Sequence, residues 1–395
     1  MKKLLSTIIG LAISSVTFAQ AQTALKQDNS WFNHLDLAFT ANTTGIGFDL
    51  AAPMTEWAQI RMGGSFMPKF KYKMTFGVEA GTYIYDPNLT PAENEKAKTE
   101  LLNSNFKKMA DVMESFTGMR PEPSVDMIGD PKMNNFKMLV DIFPLKKNRH
   151  WHVTTGFYYG GNIVAEAYNT TECATSLNAV SMYQLMYRKA VGKQDLIEYN
   201  GSTMNLPPEF AEKFYRVGAI SIPLGEYAHD VTAQEDIYYA SNIFASTGQR
   251  LHKKGELMFA KGDVIYHEGE TFRMTPDENC MVKAKAMVNR FKPYLGVGYS
   301  TSISDDNRTN FSVDAGVLFW GGKPEMMTRT EINVYDNDNH LTLNGVDAEG
   351  KAIYHEVDMC RDLRNIDGKV GTYIDLAKSL AVYPVISIRL SHRLF

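Results

Sequence analysis

The chain ends in a long stretch of alternating apolar and polar side chains, and this stretch constrains the fold more than any other. One parity is apolar and comprises Val382, Ile386, Ile388, Leu390 and Leu394. The other parity is mostly polar and comprises Tyr383, Ser387, Arg389, Ser391 and Arg393. Because successive side chains of a β-strand point to opposite faces, the stretch predicts a strand with one apolar and one polar face. Such a strand, ending on the aromatic Phe395, is typical of outer-membrane β-barrels, whose last strand closes against the first.

The first 21 residues have the parts of a secretory signal peptide. Lys2 and Lys3 precede a short apolar run over 4–16, and the small residues Ala19 and Ala21 offer cleavage sites. The run is too short to anchor the chain in a membrane as a helix. Removing the two lysines changes the formal charge from -4 to about -6, which gives no indication of nucleic-acid binding. Residues 1–21 therefore predict export.

The rest of the chain predicts an all-β fold, a transmembrane up-and-down antiparallel β-barrel of eight strands over 31–395. No later apolar run approaches the ~20 residues of a transmembrane helix, so a membrane-spanning form must be a closed barrel. An exported barrel predicts an outer-membrane location. Eight segments alternate with period two: Trp31–Asn42, Thr44–Pro53, Glu56–Phe70, Asn135–Pro144, Trp151–Glu166, Val288–Thr301, Asn310–Trp320 and the closing strand.

Three large insertions separate the predicted strands: 71–134, 167–287 and 321–378. They fall after the third, fifth and seventh strands, so an up-and-down barrel with both termini in the periplasm places all three on the outer face. Apolar residues at helical spacing predict a helix over Pro91–Met119. Turn residues predict hairpins over Gly255–Arg273 and Glu331–Tyr354, and a short helix is predicted over Asp367–Leu380. The insertions are therefore expected to be mixed α/β and ordered.

The polar parity of the strands predicts a charged lumen. Its members are Asp36, Asp49, Arg61, Lys137, Asp141, His152, Lys292, Asp314 and Arg389. An eight-stranded barrel is just wide enough for side chains to fill, so these residues predict a structural network of ion pairs rather than a gated polar path. Arg389 is expected to pair with Asp36 and Asp314 on the neighbouring strands. Tyr158 and Tyr294 are expected to add bulk to this plug.

Four tryptophans lie near predicted strand ends and predict anchors at the membrane interfaces. They are Trp31, Trp57, Trp151 and Trp320.

Candidate sites of chemistry are few. Cys173 and Cys280 could form a disulfide in an oxidising compartment, although unpaired cysteines are an equal alternative. The segment 336–340 carries alternating carboxylates but lacks the EF-hand spacing, which favours a solvated turn over a metal site. Ser391 and His392 are adjacent, and neighbours on a strand point to opposite faces. The sequence therefore predicts no catalytic residue, no metal and no cofactor.

Several barrel segments resemble uncharacterised outer-membrane β-barrel proteins of Gram-negative bacteria. The resemblance rests on 291–299 (FKPYLGVGY), 311–324 (FSVDAGVLFWGGKP) and 382–387 (VYPVIS), with weaker matches at 43–47 and 67–70. It covers about a third of the chain and lies in the strands. It implies a fold and a location but no ligand or reaction.

The combined expectation is a non-catalytic outer-membrane barrel that displays ordered extracellular loops for surface binding or envelope structure. The expected partners are outer-membrane lipid, the barrel-assembly machinery through the C-terminal strand, and an unknown surface ligand. A small pore or transport protein is one alternative. A barrel-embedded hydrolase is another.

Overall fold

The computed structural model describes residues 33–77, 79–80, 86–118, 120–145, 148–169, 182–183, 186, 196–199, 202–205, 220–240, 242–244, 250–274, 281–335, 341–366 and 368–394. Residues 1–21, Trp31, Cys173, Cys280, segment 336–340 and Phe395 lie outside these residues, so the expectations about them stay predictions.

Eight strands form a closed antiparallel barrel in which each strand pairs with the next barrel strand along the chain. With all strands numbered in chain order, they are β1 (Asp36–Asn42), β2 (Gly45–Thr55), β3 (Ala58–Phe66), β7 (Asn135–Ile142), β8 (Trp151–Gly160), β21 (Phe291–Ser302), β22 (Thr309–Phe319) and β28 (Val382–Arg393). β28 closes on β1, with Asp36 opposite Arg393 and Asn42 opposite Ser387. The predicted eight-stranded up-and-down barrel is confirmed.

The barrel wall separates an apolar exterior from a polar interior because each strand alternates between the two kinds of side chain. On β28, Ile386 is 60% exposed, whereas Arg389 is 3% exposed. On β1, Phe39 is 57% exposed, whereas Thr40 is fully buried. A continuous exterior band of this kind is far more apolar than the surface of a soluble monomer. The parity predicted for the closing strand is therefore confirmed.

The fifth predicted strand, Trp151–Glu166, is wrong in its extent. The barrel strand β8 ends at Gly160, and a second strand, β9 (Ile163–Asn169), begins after a two-residue link. β9 pairs with strands outside the barrel. Gly160, Gly161 and Asn162 at the link are residues typical of a break between strands, and the prediction extended one strand across them.

Outside the barrel, the described residues of 67–134, 161–290 and 320–381 form one folded unit, which we call the cap. Its remaining strands are β4 (Tyr72–Gly77), β5 (Glu79–Ala80), β6 (Ser124–Pro131), β10 (Leu196–Tyr199), β11 (Ser202–Asn205), β12 (Ile220–Tyr227), β13 (Val231–Thr232), β14 (Ile237–Tyr239), β15 (Ile243–Phe244), β16 (Arg250–His252), β17 (Leu257–Phe259), β18 (Val264–Tyr266), β19 (Thr271–Met274), β20 (Lys283–Met287), β23 (Glu325–Glu331), β24 (Asn333–Tyr335), β25 (Leu341–Val346), β26 (Tyr354–Asp358) and β27 (Leu363–Arg364).

The main sheet of the cap continues the barrel wall. Its order is β26-β23-β20-β9-β6-β4, and the barrel strands joined to its last five members are β22, β21, β8, β7 and β3, which are neighbours in the same order. Backbone hydrogen bonds between neighbouring segments continue at the joint: the amide of Lys132 donates to Val164 at 2.8 Å, and that of Val288 donates to Asn162 at 2.8 Å. Five of the eight wall strands therefore extend upward into the cap.

The predicted helices are confirmed. The first, α1 (Pro91–Thr117), begins with a capping box in which the side chains of Thr90 and Glu93 bind each other's backbone amides. It ends at Gly118 in the left-handed conformation, which favours glycine. The second, α2 (Gly368–Ser379), leads into β28. No helix in the described part of the chain is long and apolar enough to cross a membrane.

The hairpins predicted over Gly255–Arg273 are wrong in their pairing. The turns lie at the predicted positions, with Gly262 and Gly269 at positive φ. However, β17, β18 and β19 pair with β14, β13 and β12, not with one another. The hairpin predicted over Glu331–Tyr354 does form from β24 and β25. Turn residues fix where a strand ends, but the partner of a strand depends on the distant chain.

The three insertions share one hydrophobic core. It buries Met109 and Met113 of α1, Phe272 of the second insertion, and Val357 and Ile374 of the third. Because the core and the main sheet draw on all three insertions, none of them has a complete hydrophobic interior of its own.

We therefore predict that an isolated fragment 167–287 does not fold. Removing β6 and β23 leaves both edges of the fragment's part of the main sheet unpaired, and a small core of this kind is marginal on its own. Circular dichroism should show no cooperative thermal transition for the fragment, whereas the full chain in detergent serves as the folded control. A sharp, reversible transition of the fragment would contradict the shared core.

Candidate functional site

The nine charged side chains predicted for the lumen are all buried inside the barrel. Their exposed fractions do not exceed 8%: Asp36, Asp49, Arg61, Lys137, Asp141, His152, Lys292, Asp314 and Arg389. They come from all eight strands of the barrel, so the interior is filled from every side.

Asp141 on β7 lies at the centre of this interior and accepts hydrogen bonds from four side chains. Nη2 of Arg61 and Oγ1 of Thr154 each donate to Oδ1 at 2.7 Å. Nε2 of Gln59 donates to Oδ2 at 2.7 Å, and Nη1 of Arg389 donates to the same oxygen at 3.4 Å. A buried carboxylate is tolerated only when it is paired and hydrogen-bonded, and these four donors meet that requirement.

Two further carboxylates connect to Asp141 through Arg61. Oδ2 of Asp49 is 4.0 Å from Nη1 of Arg61, and Oδ1 of Asp49 is 2.8 Å from Nζ of Lys137. Oδ1 of Asp314 is 3.8 Å from Nη2 of Arg61 and 2.7 Å from Nε2 of His152. We call the connected set the Asp141 cluster: Asp49, Arg61, Lys137, Asp141, His152, Asp314 and Arg389. With three carboxylates and three permanent cations, its formal charges balance.

Two of the nine residues lie apart from the cluster. Asp36 pairs with Arg393 at 3.7 Å, at the end of the barrel that carries the short turns. Lys292 lies at the opposite end, below the cap. Among the described residues its ammonium contacts only neutral oxygens, those of Asn135, Gly161 and Arg290, at 3.3–3.4 Å. Lys292 is therefore a buried cation outside the ion-pair network expected for it.

The partners expected for Arg389 are wrong. Its guanidinium forms an ion pair with Asp141 and donates to Ser312 at 3.3 Å, and forms no ion pair with Asp36 or Asp314. The side chain of arginine is long enough to cross the narrow lumen from β28 to β7. Meanwhile Asp314 is occupied by His152 and Arg61. For Arg389, the length of the side chain therefore decides its ion-pair partner more than the neighbouring strands of the sheet do.

An apolar layer closes the lumen on the cap side of the cluster. It consists of Leu139, Tyr158, Tyr294, Leu318 and Val385, all at most 4% exposed. The rings of Tyr158 and Tyr294 lie 5.6 Å apart. A Cβ at Gly296 or Gly316 would overlap the Tyr294 hydroxyl, so both glycines make room for that ring. Tyr158 and Tyr294 do fill the lumen.

The end of the barrel with the short turns is open. A cavity of about 450 Å³ enters from this end and reaches Arg389. Its polar lining includes Gln59, Ser312 and Arg393. The cavity stops at the Asp141 cluster and does not meet the apolar layer.

A second cavity, which we call the rim groove, lies at the joint between barrel and cap. It has a volume of about 450 Å³ and is mostly apolar. Its wall includes the β1–β2 turn at Thr43, the outward-facing Ile46, the linker residue Phe70, and the inner residues Met133 and Tyr383. The β1–β2 hairpin ends at the rim of the barrel, and the groove passes over its turn.

Trp320 is wrongly predicted as a membrane anchor, whereas Trp57 and Trp151 are 54% and 50% exposed. Trp320 is 5% exposed, and its indole Nε1 donates to the carbonyl of Leu380 at 2.9 Å. Its ring packs on Tyr383 at 5.1 Å. The cap covers this strand end, which turns an expected interface residue into part of the joint.

The cap carries few groups suited to chemistry. Burial raises the pKa of the Cys360 thiol to about 11, and Asp358 adds to this effect, so the thiol is unreactive at neutral pH. Burial also lowers the pKa of His355, although nearby Asp362 acts in the opposite direction. Among the described residues no group of histidines, cysteines and carboxylates is arranged to hold a metal ion.

Sequence reasoning missed the rim groove and the neutral partners of the cluster. Gln59 and Thr154 lie on the inward parity of their strands but carry no charge, so the charge pattern did not identify them as partners of the cluster. The groove was signalled by the alternation of lysines and aromatic residues over 69–73 (KFKYK), which is unusual directly after a membrane strand.

Comparisons with known proteins add little. No protein-family model matches the sequence, and neither does any curated protein. Among solved structures, those of CarO2 and CarO from Acinetobacter baumannii align with TM-scores of 0.33 and 0.31, each at 10% identity. The alignments cover 92% of this chain and 100% and 99% of those chains. Likeness at this level carries no argument about function, and the resemblance of the strand motifs to a family stays a prediction.

We predict that Asp141→Asn lowers the free energy of unfolding by about 3–5 kcal/mol, because it removes the carboxylate that balances Arg61 and Arg389 inside the lumen. Urea titration in detergent, followed by heat-modifiable gel migration, measures this loss. The control, Asp305→Asn, lies in the exposed turn between β21 and β22 and should change stability by less than about 0.5 kcal/mol. An equal free energy of unfolding of the two variants would contradict the stabilising role of Asp141 in the cluster.

Proposed function

We propose that this protein is a non-catalytic, non-conducting outer-membrane barrel that holds a rigid cap at the cell surface for binding or envelope structure. The observation that carries the proposal is the continuity of five barrel strands with the main sheet of the cap. A loop displayed on flexible linkers needs no such continuity, whereas a surface whose orientation matters gains from it.

The exterior band of the barrel supports the membrane location. Leu295, Val297, Ile386 and Ile388 are each at least 50% exposed. Six of the eight strands are 9–12 residues long, close to the ~9–11 residues that a tilted strand needs to cross a bilayer. In water such a surface would drive aggregation, whereas in a bilayer it is matched by lipid.

The asymmetry of the two ends supports an outward-facing cap. One end carries the turns at 56–57, 143–150 and 303–308, and the other carries the cap ranges, which span about 260 residues of the chain. Bacterial outer-membrane barrels have short periplasmic turns and longer extracellular loops. In this orientation, outer-membrane lipid surrounds the wall, the assembly machinery acts on β28, and an unknown surface ligand meets the cap.

The filled lumen supports a non-conducting barrel. The Asp141 cluster occupies one level, and the apolar layer with Tyr158 and Tyr294 occupies the next. An ion would have to displace both layers, the first of which is held by buried ion pairs. The pore alternative would require a wider barrel than eight strands provide.

For the orientation we predict that a short epitope tag inserted between Lys254 and Gly255 in the cap binds antibody on intact cells. The matched tag, inserted between Asp305 and Asp306 in the turn at the opposite end, should bind only after permeabilisation. Fluorescence of labelled cells measures both. Staining of the second tag alone on intact cells would contradict an outward-facing cap.

For the lumen we predict that the refolded protein gives no stepwise current in a planar bilayer, because neither the cluster nor the apolar layer leaves a continuous water path. A general porin in the same bilayer serves as the positive control. Reproducible current steps from the folded, heat-modifiable form would overturn the non-conducting assignment.

A further inference from the structure

The linker from β3 to β4 places basic and aromatic side chains directly above the rim of the barrel. Lys69, Phe70, Lys71, Tyr72 and Lys73 are all exposed. The linker follows Phe66, an outward-facing residue at the end of β3 that is 51% exposed. The segment therefore lies where the apolar exterior of the barrel gives way to the polar layer of the membrane.

Part of the positive charge near this linker is already neutralised. Nζ of Lys73 is 2.6 Å from Oδ2 of Asp126, and Lys132 pairs with Glu166. Lys69 and Lys71 have no ion-pair partner among the described residues. Two exposed lysines, two residues apart on the linker, are therefore available to bind an anion outside the protein.

Large apolar side chains are exposed beside these lysines. Phe70 and Tyr72 are 55% and 56% exposed, and Leu376 on α2 is 54% exposed. The hydroxyls of Tyr72 and Tyr373 hydrogen-bond at 3.4 Å, which brings α2 against the linker. Aromatic side chains at a membrane surface bury their rings and keep their polar ends wet.

The rim groove opens at the same place. Phe70 forms part of its wall, together with the outward-facing Ala41 and Ile46 of the barrel exterior. Its inner wall is apolar and includes Met133 and Val164. The groove is therefore continuous with the lipid-facing surface at one end and closed by the joint at the other, which suits a hydrocarbon chain rather than a soluble ligand.

From these observations we infer a lipid site: Lys69 and Lys71 bind the phosphates of a phosphorylated glycolipid of the outer leaflet, and the rim groove takes one of its acyl chains. The inference rests on the proposed outward orientation of the cap, since that orientation sets which leaflet meets the linker. The outer leaflet of such membranes is built of phosphorylated glycolipid. The rings of Tyr72 and Tyr373 are placed to cover its sugar.

Native mass spectrometry of the full chain refolded in detergent tests the headgroup contact. The probes are bisphosphorylated lipid A, its dephosphorylated form and phosphatidylglycerol. Lipid A should bind most tightly, and the double variant K69Q/K71Q should bind it about tenfold or more weakly. The control K253Q/K254Q removes the same charge from an exposed turn of the cap and should bind lipid A as the parent does.

A second variant tests the groove without touching the interior. Ala41 faces outward on β1, so Ala41→Trp fills the mouth of the groove and should weaken lipid A binding. Ala315→Trp places the same ring on the outward face of β22, away from the groove, and should leave binding unchanged. Heat-modifiable migration confirms that each variant forms the folded barrel before binding is compared.

Two results would overturn the inference: equal binding of lipid A to K69Q/K71Q and its control, or binding of phosphatidylglycerol as tight as that of lipid A. Binding in detergent does not depend on which way the cap faces in cells. A failure of lipid A binding therefore leaves the result of the tag experiment on orientation unaffected. A failure of the tag experiment likewise leaves the binding result unaffected.

Discussion

The charge balance around Asp141 is the interaction on which the closed barrel depends. Arg61 and Arg389 approach this carboxylate from β3 and β28, and Gln59 and Thr154 complete its hydrogen bonds. Each cation would be costly to bury alone, and each carboxylate equally so. Arg61, Gln59 and Thr154 come from β3 and β8, the neighbours of β7 in the sheet. Arg389 reaches Asp141 from β28, and Arg61 reaches Asp314 on β22, so these two pairs connect strands that backbone hydrogen bonds do not join.

The cap depends on the barrel in turn. Its main sheet begins with segments whose order is already fixed by the wall, so the strand order of the barrel sets the order of β4, β6, β9, β20 and β23. The joint is sealed by Trp320, whose indole binds the carbonyl of Leu380 just before β28. The closing strand thus connects the barrel to its cap as well as to β1. A cap held rigidly on the barrel follows from these short connections.

The sequence was informative wherever structure is a local property. The eight strands, their inward parity and both helices follow from periodicity, because the face that a side chain occupies depends only on its own strand. Partners across space did not follow: Arg389 pairs with Asp141 across the lumen, and β17, β18 and β19 pair with distant strands. Trp320 was mistaken for an anchor because a strand end covered by another unit has the same sequence as one that meets lipid.

The rim groove arises because fewer strands continue into the cap than form the barrel. Eight strands form the wall, but only five continue upward, so the side formed by β28, β1 and β2 has no sheet above it. Helix α2 partly covers that side through Tyr373 and Tyr72, and the gap below remains apolar. An apolar gap of this kind cannot stay in contact with water without cost. In the proposed membrane location, lipid is the component of the surroundings that can fill it. Lys69 and Lys71 beside the gap form no ion pair with the described residues, which favours a lipid that carries phosphate.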